Sequence, residues 1–224
     1  MEFAVLSIRN VTFGWDERLL FENISATLEP GQIVLLTGEN GVGKTTLLQM
    51  IAGMIPHFRR GVTLEGDILI DNSSVFVNPP RCFFPQVAYI PSSQIDFFLV
   101  NETPAEEITL IKSIFRFSDI EIANKITDFN KFFENILPPT SMAHDRMSYQ
   151  QKVTSLLLIY FLQGARLFLI DEILPAFIEK DELCNFLQFF RYLRSLNKSI
   201  ILVSHQIDPG EYTTWEISQR KVNF

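Results

Sequence analysis

Ile33-Val34-Leu35-Leu36-Thr37-Gly38-Glu39-Asn40-Gly41-Val42-Gly43-Lys44-Thr45 decides the fold. Its first five residues form a short continuous apolar run, the kind of strand that is buried on both faces at the centre of a parallel sheet. Gly38 to Thr45 then fits G-x-x-x-x-G-K-[ST] without a mismatch, and Thr46-Leu47-Leu48-Gln49-Met50-Ile51 continues as a helix. A chance glycine turn would not come framed by a strand and a helix. The order strand, glycine-rich turn, helix makes a phosphate-binding loop. Glycines let the backbone wrap closely around an anion and aim its N–H groups inward. The helix start adds about half a positive charge. Asn40, Gly41, Val42, Gly43, Lys44, Thr45 and Thr46 are therefore the expected cradle for ATP. Lys44 is suited to the β- and γ-phosphates, and the Thr45 hydroxyl to the Mg²⁺ shell.

Two further strands end in chemistry. Leu167-Phe168-Leu169-Ile170 runs into Asp171-Glu172, 127 residues beyond Lys44. A strand buried on both faces delivers the residues after it to the carboxyl edge of the sheet, where open α/β folds bind ligands. Asp171 is suited to hold Mg²⁺ through water, and Glu172 to orient or deprotonate an attacking water. Ile200-Ile201-Leu202-Val203-Ser204-His205 repeats the form and ends in a histidine able to donate to a γ-phosphate. His57 and His144 have no such placement and are expected to be structural.

The rest of the chain bounds these readings. It has 224 residues, 47% hydrophobic and 20% charged, the profile of a folded domain. A net charge of −7 argues against a general nucleic-acid surface, which needs clustered Lys and Arg. Cys82 and Cys184 lie far apart without metal-ligand spacing, and are expected as buried thiols in a reducing compartment. The longest uncharged apolar stretch, Val153 to Leu162, falls short of the roughly 18–20 residues of a bilayer span. Met1 to Asn10 lacks the basic start and apolar centre of a signal peptide. The expected place is the cytosol, with any membrane crossing supplied by another chain.

Val5 to Phe13 alternates as a half-buried strand, Ile24 to Leu28 reads as its antiparallel neighbour, and Val62 to Ile70 as a strand pair around Gly66. Eight of the ten glycines fall at or before Gly66 and none between Asp67 and Gln163, which predicts a helical middle. Thr103 to Ile136 reads as helical up to Pro138-Pro139. Ser148 to Gln163 reads as an amphipathic helix with Val153, Leu156, Leu157, Tyr160 and Phe161 on one face. Asp181 to Leu196 reads as another, presenting Leu183, Phe186, Leu187, Phe190 and Leu193. The class is α/β, a mostly parallel sheet with flanking helices and a helical insert.

These pieces in this order resemble the ABC ATPase family over essentially the whole chain. The resemblance implies a P-loop NTPase core with an N-terminal antiparallel β subdomain and an inserted α-helical subdomain. Residues 1–94 and 164–224 would be the nucleotide-binding core, and 95–163 the helical subdomain ending in the signature helix. It implies ATP and Mg²⁺ as cofactors and ATP hydrolysis coupled to transport, with Lys44, Glu172 and His205 as the catalytic set. It also implies transmembrane permease subunits and a second ABC ATPase subunit as partners, at the cytoplasmic face of the cell membrane. Phe13-Gly14-Trp15 looks like the segment that stacks an aromatic ring on adenine, with Trp15 as the ring; ordinary packing is the alternative.

The chain departs from the family at three places. In the glutamine-loop region it reads Tyr89-Ile90-Pro91-Ser92-Ser93-Gln94, with Ser92 directly after the proline and Gln94 two residues on as the candidate Mg²⁺ contact. The family signature Leu-Ser-Gly-Gly-Gln appears as Met147-Ser148-Tyr149-Gln150-Gln151. Ser148 and Gln151 remain for the nucleotide of the facing subunit, and both glycines are gone. Ser148-x-x-Gln151 also reads as a capping box for the next helix. The loop Pro175-Ala176-Phe177-Ile178 lacks the aspartate that crosses the dimer. The departures imply an asymmetric dimer, in which this chain's phosphate loop works with a partner's intact signature. Ile55-Pro56-His57-Phe58-Arg59-Arg60-Gly61, Ile68-Leu69-Ile70-Asp71, and Phe97-Phe98 before Thr103 to Ile108 resemble importer ATPases of the energy-coupling-factor type. An exporter ATPase, a soluble cassette protein and a low-turnover nucleotide-binding regulator stay open.

Overall fold

The computed structural model describes residues 4–15, 18–58, 61–177, 179–207, 212–218 and 221–223. Arg59, Arg60, Ile178 and the side chains of Phe97 and Phe98 lie outside the described residues. The chain divides into two compact units.

The first unit comprises Met1–Tyr89, Arg166–Glu172 and Leu193–Phe224. One sheet is antiparallel, in the order β2 (Arg18–Leu28), β1 (Leu6–Trp15), β4 (Val62–Ile70), β5 (Ser73–Ser74). Leu6, Ile8, Val11 and Phe13 of β1 are buried, so the alternation changes phase between Ile8 and Val11. The cause is a bulge: the β1–β4 register slips between Arg9 and Thr12. Gly66 faces the slip at φ 76°, where a Cβ would stand 2.3 Å from the Asn10 carbonyl oxygen. Val62 to Ile70 is one strand and not the pair expected, and the extra residue of the bulge lies in β1, where Asn10 and Val11 stand against Gly66.

The other sheet runs β10 (Lys221–Asn223), β9 (Thr213–Ser218), β3 (Ile33–Gly38), β8 (Ser199–Val203), β7 (Leu167–Asp171), β6 (Val87–Ile90). β9, β3, β8 and β7 are parallel neighbours, and β10 turns back antiparallel. Every residue of β7 and β8 is buried, as continuous apolar runs in a parallel sheet require. Helix α1 (Lys44–Ile51) comes directly after β3 and the glycine-rich turn.

The second unit comprises Ile90–Ala165 and Ile173–Tyr192. It holds α2 (Pro104–Phe115), α3 (Asp119–Phe133), α4 (Tyr149–Gln163) and most of α5 (Lys180–Ser195). The helical stretch expected from Thr103 to Ile136 is two helices, because Arg116 turns left-handed at φ 56° and Ser118 with Glu121 caps a new start. Helix α4 is not amphipathic as expected: all ten residues from Val153 to Leu162 are buried. Aromatic rings fill the centre of this unit. Phe189 meets Phe129 at 5.2 Å and 77° and Phe133 at 5.1 Å and 73°, while Phe186 meets Phe133 at 5.5 Å and 71°. Each such edge-on pair adds about 0.5–1.5 kcal/mol beyond the area it buries. Phe129 and Phe133 of the phenylalanine-dense middle are thus core.

Cys82 and Cys184 are both exposed, against the expectation of buried thiols, since one lies in the turn Pro80–Cys82 and the other on the outward side of α5. Among the described residues no helix is long and apolar enough to cross a membrane.

His144 is buried just ahead of α4, with Nδ1 3.4 Å from Met147 Sδ and, among the described residues, no partner for Nε2. Burial pushes its pKa below the usual histidine value, against the pull of Glu107 and Asp96. The unfolded chain therefore binds this proton more readily than the folded one. The stability gained from a neutral His144 is complete above the unfolded pKa and declines as pH falls through the folded one. Thermal melts of wild type and His144→Gln are expected to diverge below the unfolded value of 6.5. Wild type should lose at most about tenfold in folded-to-unfolded ratio per pH unit from this group. Parallel melting curves would remove His144 as the cause.

Candidate nucleotide site

Three helices of the second unit open in the same way. Thr103 with Glu106, Ser118 with Glu121 and Ser148 with Gln151 form capping boxes on α2, α3 and α4, so each helix start satisfies two N–H groups with its own side chains. Helix α1 of the first unit does not. Its cap is Gly43, at φ 116°, without a side-chain cap and without an acidic residue in its first turn. The open N–H groups and the helix dipole are left for an anion.

They face a cavity of about 360 Å³ lined by Asn40, Gly41, Gly43, Lys44, Thr45, Thr46 and Glu172, within the size range of small-ligand sites. The glycines are needed for different reasons. A Cβ on Gly43 would meet Leu20 and Phe21 side chains of β2 at 2.9 Å, and one on Gly38 would meet the Ile217 carbonyl oxygen at 2.6 Å. A Cβ on Gly41 would meet nothing within 4 Å among the described residues, so glycine is favoured there by its φ of 78°. Val42 does not line the cavity; its N–H donates to the Glu39 carbonyl at 3.3 Å.

Lys44 is buried to 6% exposure, and its Nζ donates to the carbonyls of Gly38 at 2.8 Å and Glu39 at 3.1 Å. An ammonium has three donors, so one remains for a ligand. Thr45 Oγ1 donates to Asp171 Oδ2 at 2.9 Å, joining the start of α1 to the end of β7. This pair fits Mg²⁺, a hard cation held through one or two protein oxygens with phosphates and waters completing the shell. Tyr89 joins the site although its sequence position does not mark it. It is buried on β6, where burial first, then the Asp171 carboxylate, push its phenol pKa up, against a smaller pull from Gln49. A tyrosine within an apolar strand carries no signal beyond packing, so only its neighbourhood reveals it.

Glu172 comes straight after β7 with a left-handed φ of 49°, a conformation costly for a residue with a Cβ and frequent at functional sites. Its N–H donates to the Val203 carbonyl, and its Oε1 lies 3.4 Å from Nε2 of exposed His205. The fold thus brings Lys44, Thr45, Asp171, Glu172 and His205 to one sheet edge. Trp15 is half-buried on β1, edge-on to Phe13 at 5.1 Å. His57 Nε2 stands 2.9 Å from the Val75 carbonyl. Gln94, Ser148 and Gln151 belong to the other unit. Gln94 is exposed with φ 56°, and Ser148 and Gln151 exchange the two capping-box bonds, at 3.2 and 3.0 Å.

A family model described as ABC transporter matches residues 21–174, from β2 past Glu172. The chain belongs to the ABC transporter family. Among ABC relatives, the cytochrome c biogenesis ATP-binding export protein CcmA of Aliivibrio fischeri is 46% identical over 74 residues, 33% of this chain. That stretch is 33% of the relative, so the chain matches about a third of its length. The energy-coupling factor transporter ATP-binding protein EcfA1 of Thermotoga maritima is 25% identical over 208 residues, covering 91% of this chain and 73% of that one. A solved structure of an ATP-binding subunit of an ABC transporter superposes with TM-score 0.78 at 22% identity, over 98% of this chain and 88% of its own, a likeness of fold. ABC ATPases bind ATP, with Mg²⁺ as the general cation of such enzymes.

Proposed function

We propose that this chain binds and hydrolyses Mg-ATP in the α1 cavity and so powers a membrane transporter. The observation that carries this is the uncapped start of α1 opening on a cavity with Lys44, beside the Thr45–Asp171 pair at 2.9 Å. The α1 N–H groups and Lys44 bind the β- and γ-phosphates, and Thr45 with Asp171 holds the metal. Bound there, Mg²⁺ supplies charge neutralisation between the two phosphates. Glu172 orients water toward the γ-phosphate, and His205, 3.4 Å from it, donates to a γ-phosphate oxygen. Trp15 stacks on the adenine.

In this reading residues 95–163 are the helical subdomain of a single ABC domain. The chain pairs with a second, unlike ABC ATPase whose intact signature closes on this chain's ATP. Its own signature, with Tyr149 and Gln150 in place of glycines, serves the opposite site weakly through Ser148 and Gln151. Transmembrane permease subunits hold the pair at the cytoplasmic face. Import of a vitamin or metal ion is favoured by the likeness to the energy-coupling factor protein over 91% of the chain. Export is the second reading, favoured by 46% identity to the cytochrome c biogenesis protein over a shorter stretch.

Calorimetric titration of the pure chain with Mg-ATP is expected to show saturable one-to-one binding that Mg-AMP does not share. No binding at millimolar Mg-ATP would overturn the proposal. Sedimentation in Mg-ATP tests the pairing: a stable dimer of this chain alone would remove the asymmetric arrangement. Chains that copurify from detergent-solubilised membranes then separate importer from exporter.

A further inference from the structure

The second unit joins two segments that stand 57 and 58 residues apart in sequence, and the joint is Tyr149. This tyrosine is the first residue of α4, directly after the Ser148 cap. Its hydroxyl donates to the Ser92 carbonyl at 2.9 Å and the Pro91 carbonyl at 3.2 Å, one O–H shared between two acceptors. Less than a turn along the helix, Lys152 Nζ stands 2.6 Å from Asp96 Oδ1. Both anchors of the 91–96 loop therefore rest on the first turn of α4, and Gln94 stands between them. A glycine at position 149 could make neither hydroxyl contact.

We propose that Tyr149 is a positioning residue whose hydroxyl fastens the 91–96 loop to the first turn of α4, so that Gln94 and the Ser148–Gln151 cap move as one piece. The functional meaning of that movement rests on the reading of Gln94 and Ser148 as nucleotide-facing residues. The fastening itself does not. The phenol stands where the family signature carries a glycine, and its hydroxyl is engaged inside its own subunit. Motion felt at the loop is thereby passed to the helix that would face a partner.

Amide hydrogen exchange of the full chain tests both parts, comparing wild type, Tyr149→Phe and Asp96→Asn. Without nucleotide, Tyr149→Phe is expected to speed exchange across residues 92–96 by about 2- to 12-fold, the loss of one ordinary hydrogen bond, with the melting temperature close to wild type. Asp96→Asn should act in the same direction by less, as its partner pair is largely exposed on the Asp96 side. With Mg-ATP, wild type should gain protection at 92–96 and 148–152 together. In Tyr149→Phe the two segments should respond separately. Unchanged exchange at 92–96 in nucleotide-free Tyr149→Phe overturns the proposal, as does a joint response in that variant. If Tyr149→Phe does not fold, Asp96→Asn carries the same comparison. Failure of wild type to bind Mg-ATP would end the proposed function, while the nucleotide-free comparison would still decide the fastening.

Discussion

Glu172→Gln is expected to lower ATP turnover by about 10²–10⁴-fold, the range for loss of a general base, while Mg-ATP affinity stays within about threefold. The geometry separates the two effects. Glu172 lines the α1 cavity but makes none of the Lys44 or Thr45 contacts, so phosphate binding survives the change. Glutamine keeps the length of the side chain and can occupy the same left-handed backbone at φ 49°. It cannot accept a proton from water. The measurement is single-turnover hydrolysis with calorimetry on the same preparations. Turnover unchanged in the glutamine variant would mean that Glu172 is not the base, and would favour a low-turnover nucleotide-binding regulator.

Lys44→Ala is expected to weaken Mg-ATP binding by about 10- to 150-fold, the cost of one charge-assisted hydrogen bond, and to abolish turnover. Alanine removes two things at once, the phosphate contact and the brace to the Gly38 and Glu39 carbonyls. Lys44→Arg separates them: it keeps the positive charge but is too large for a group buried to 6% exposure beside those carbonyls. If the brace dominates, arginine and alanine should be equally damaging. If charge dominates, arginine should recover part of the binding. Wild-type affinity in Lys44→Ala would place the nucleotide elsewhere.

The phosphate loop is legible in the sequence because everything it needs is local. Gly38 to Thr45 carries its own turn geometry, its own helix start and its own cation within eight residues. Asp171-Glu172 and Ser204-His205 are legible for a related reason, since apolar runs that end abruptly announce the edge of a parallel sheet. The differences between expectation and structure also have physical causes. Periodicity marks one face of α4, but a helix buried all round has no face to mark. Periodicity likewise runs Thr103 to Ile136 together, although Ser118-x-x-Glu121 already spells a second start. The phase change in β1 escapes any reading of alternation, because a bulge is a property of two strands and Gly66 lies 56 residues beyond Asn10.

Sequence by itself determined the fold class, the phosphate loop and the order of the chemical residues along the chain. These rest on short-range patterns that constrain φ and ψ, periodicity and charge within a few residues. Tertiary structure decided which of those residues meet. Thr45 and Asp171, 126 residues apart, come within 2.9 Å because β8 pairs in parallel with both β3 and β7, so that strands ending in different parts of the chain finish at one edge. The burial of Tyr89 beside Asp171 and the reach of Tyr149 to Pro91 and Ser92 are of the same kind. Long-range packing sets them, and no local pattern encodes a distance between residues that the chain keeps far apart.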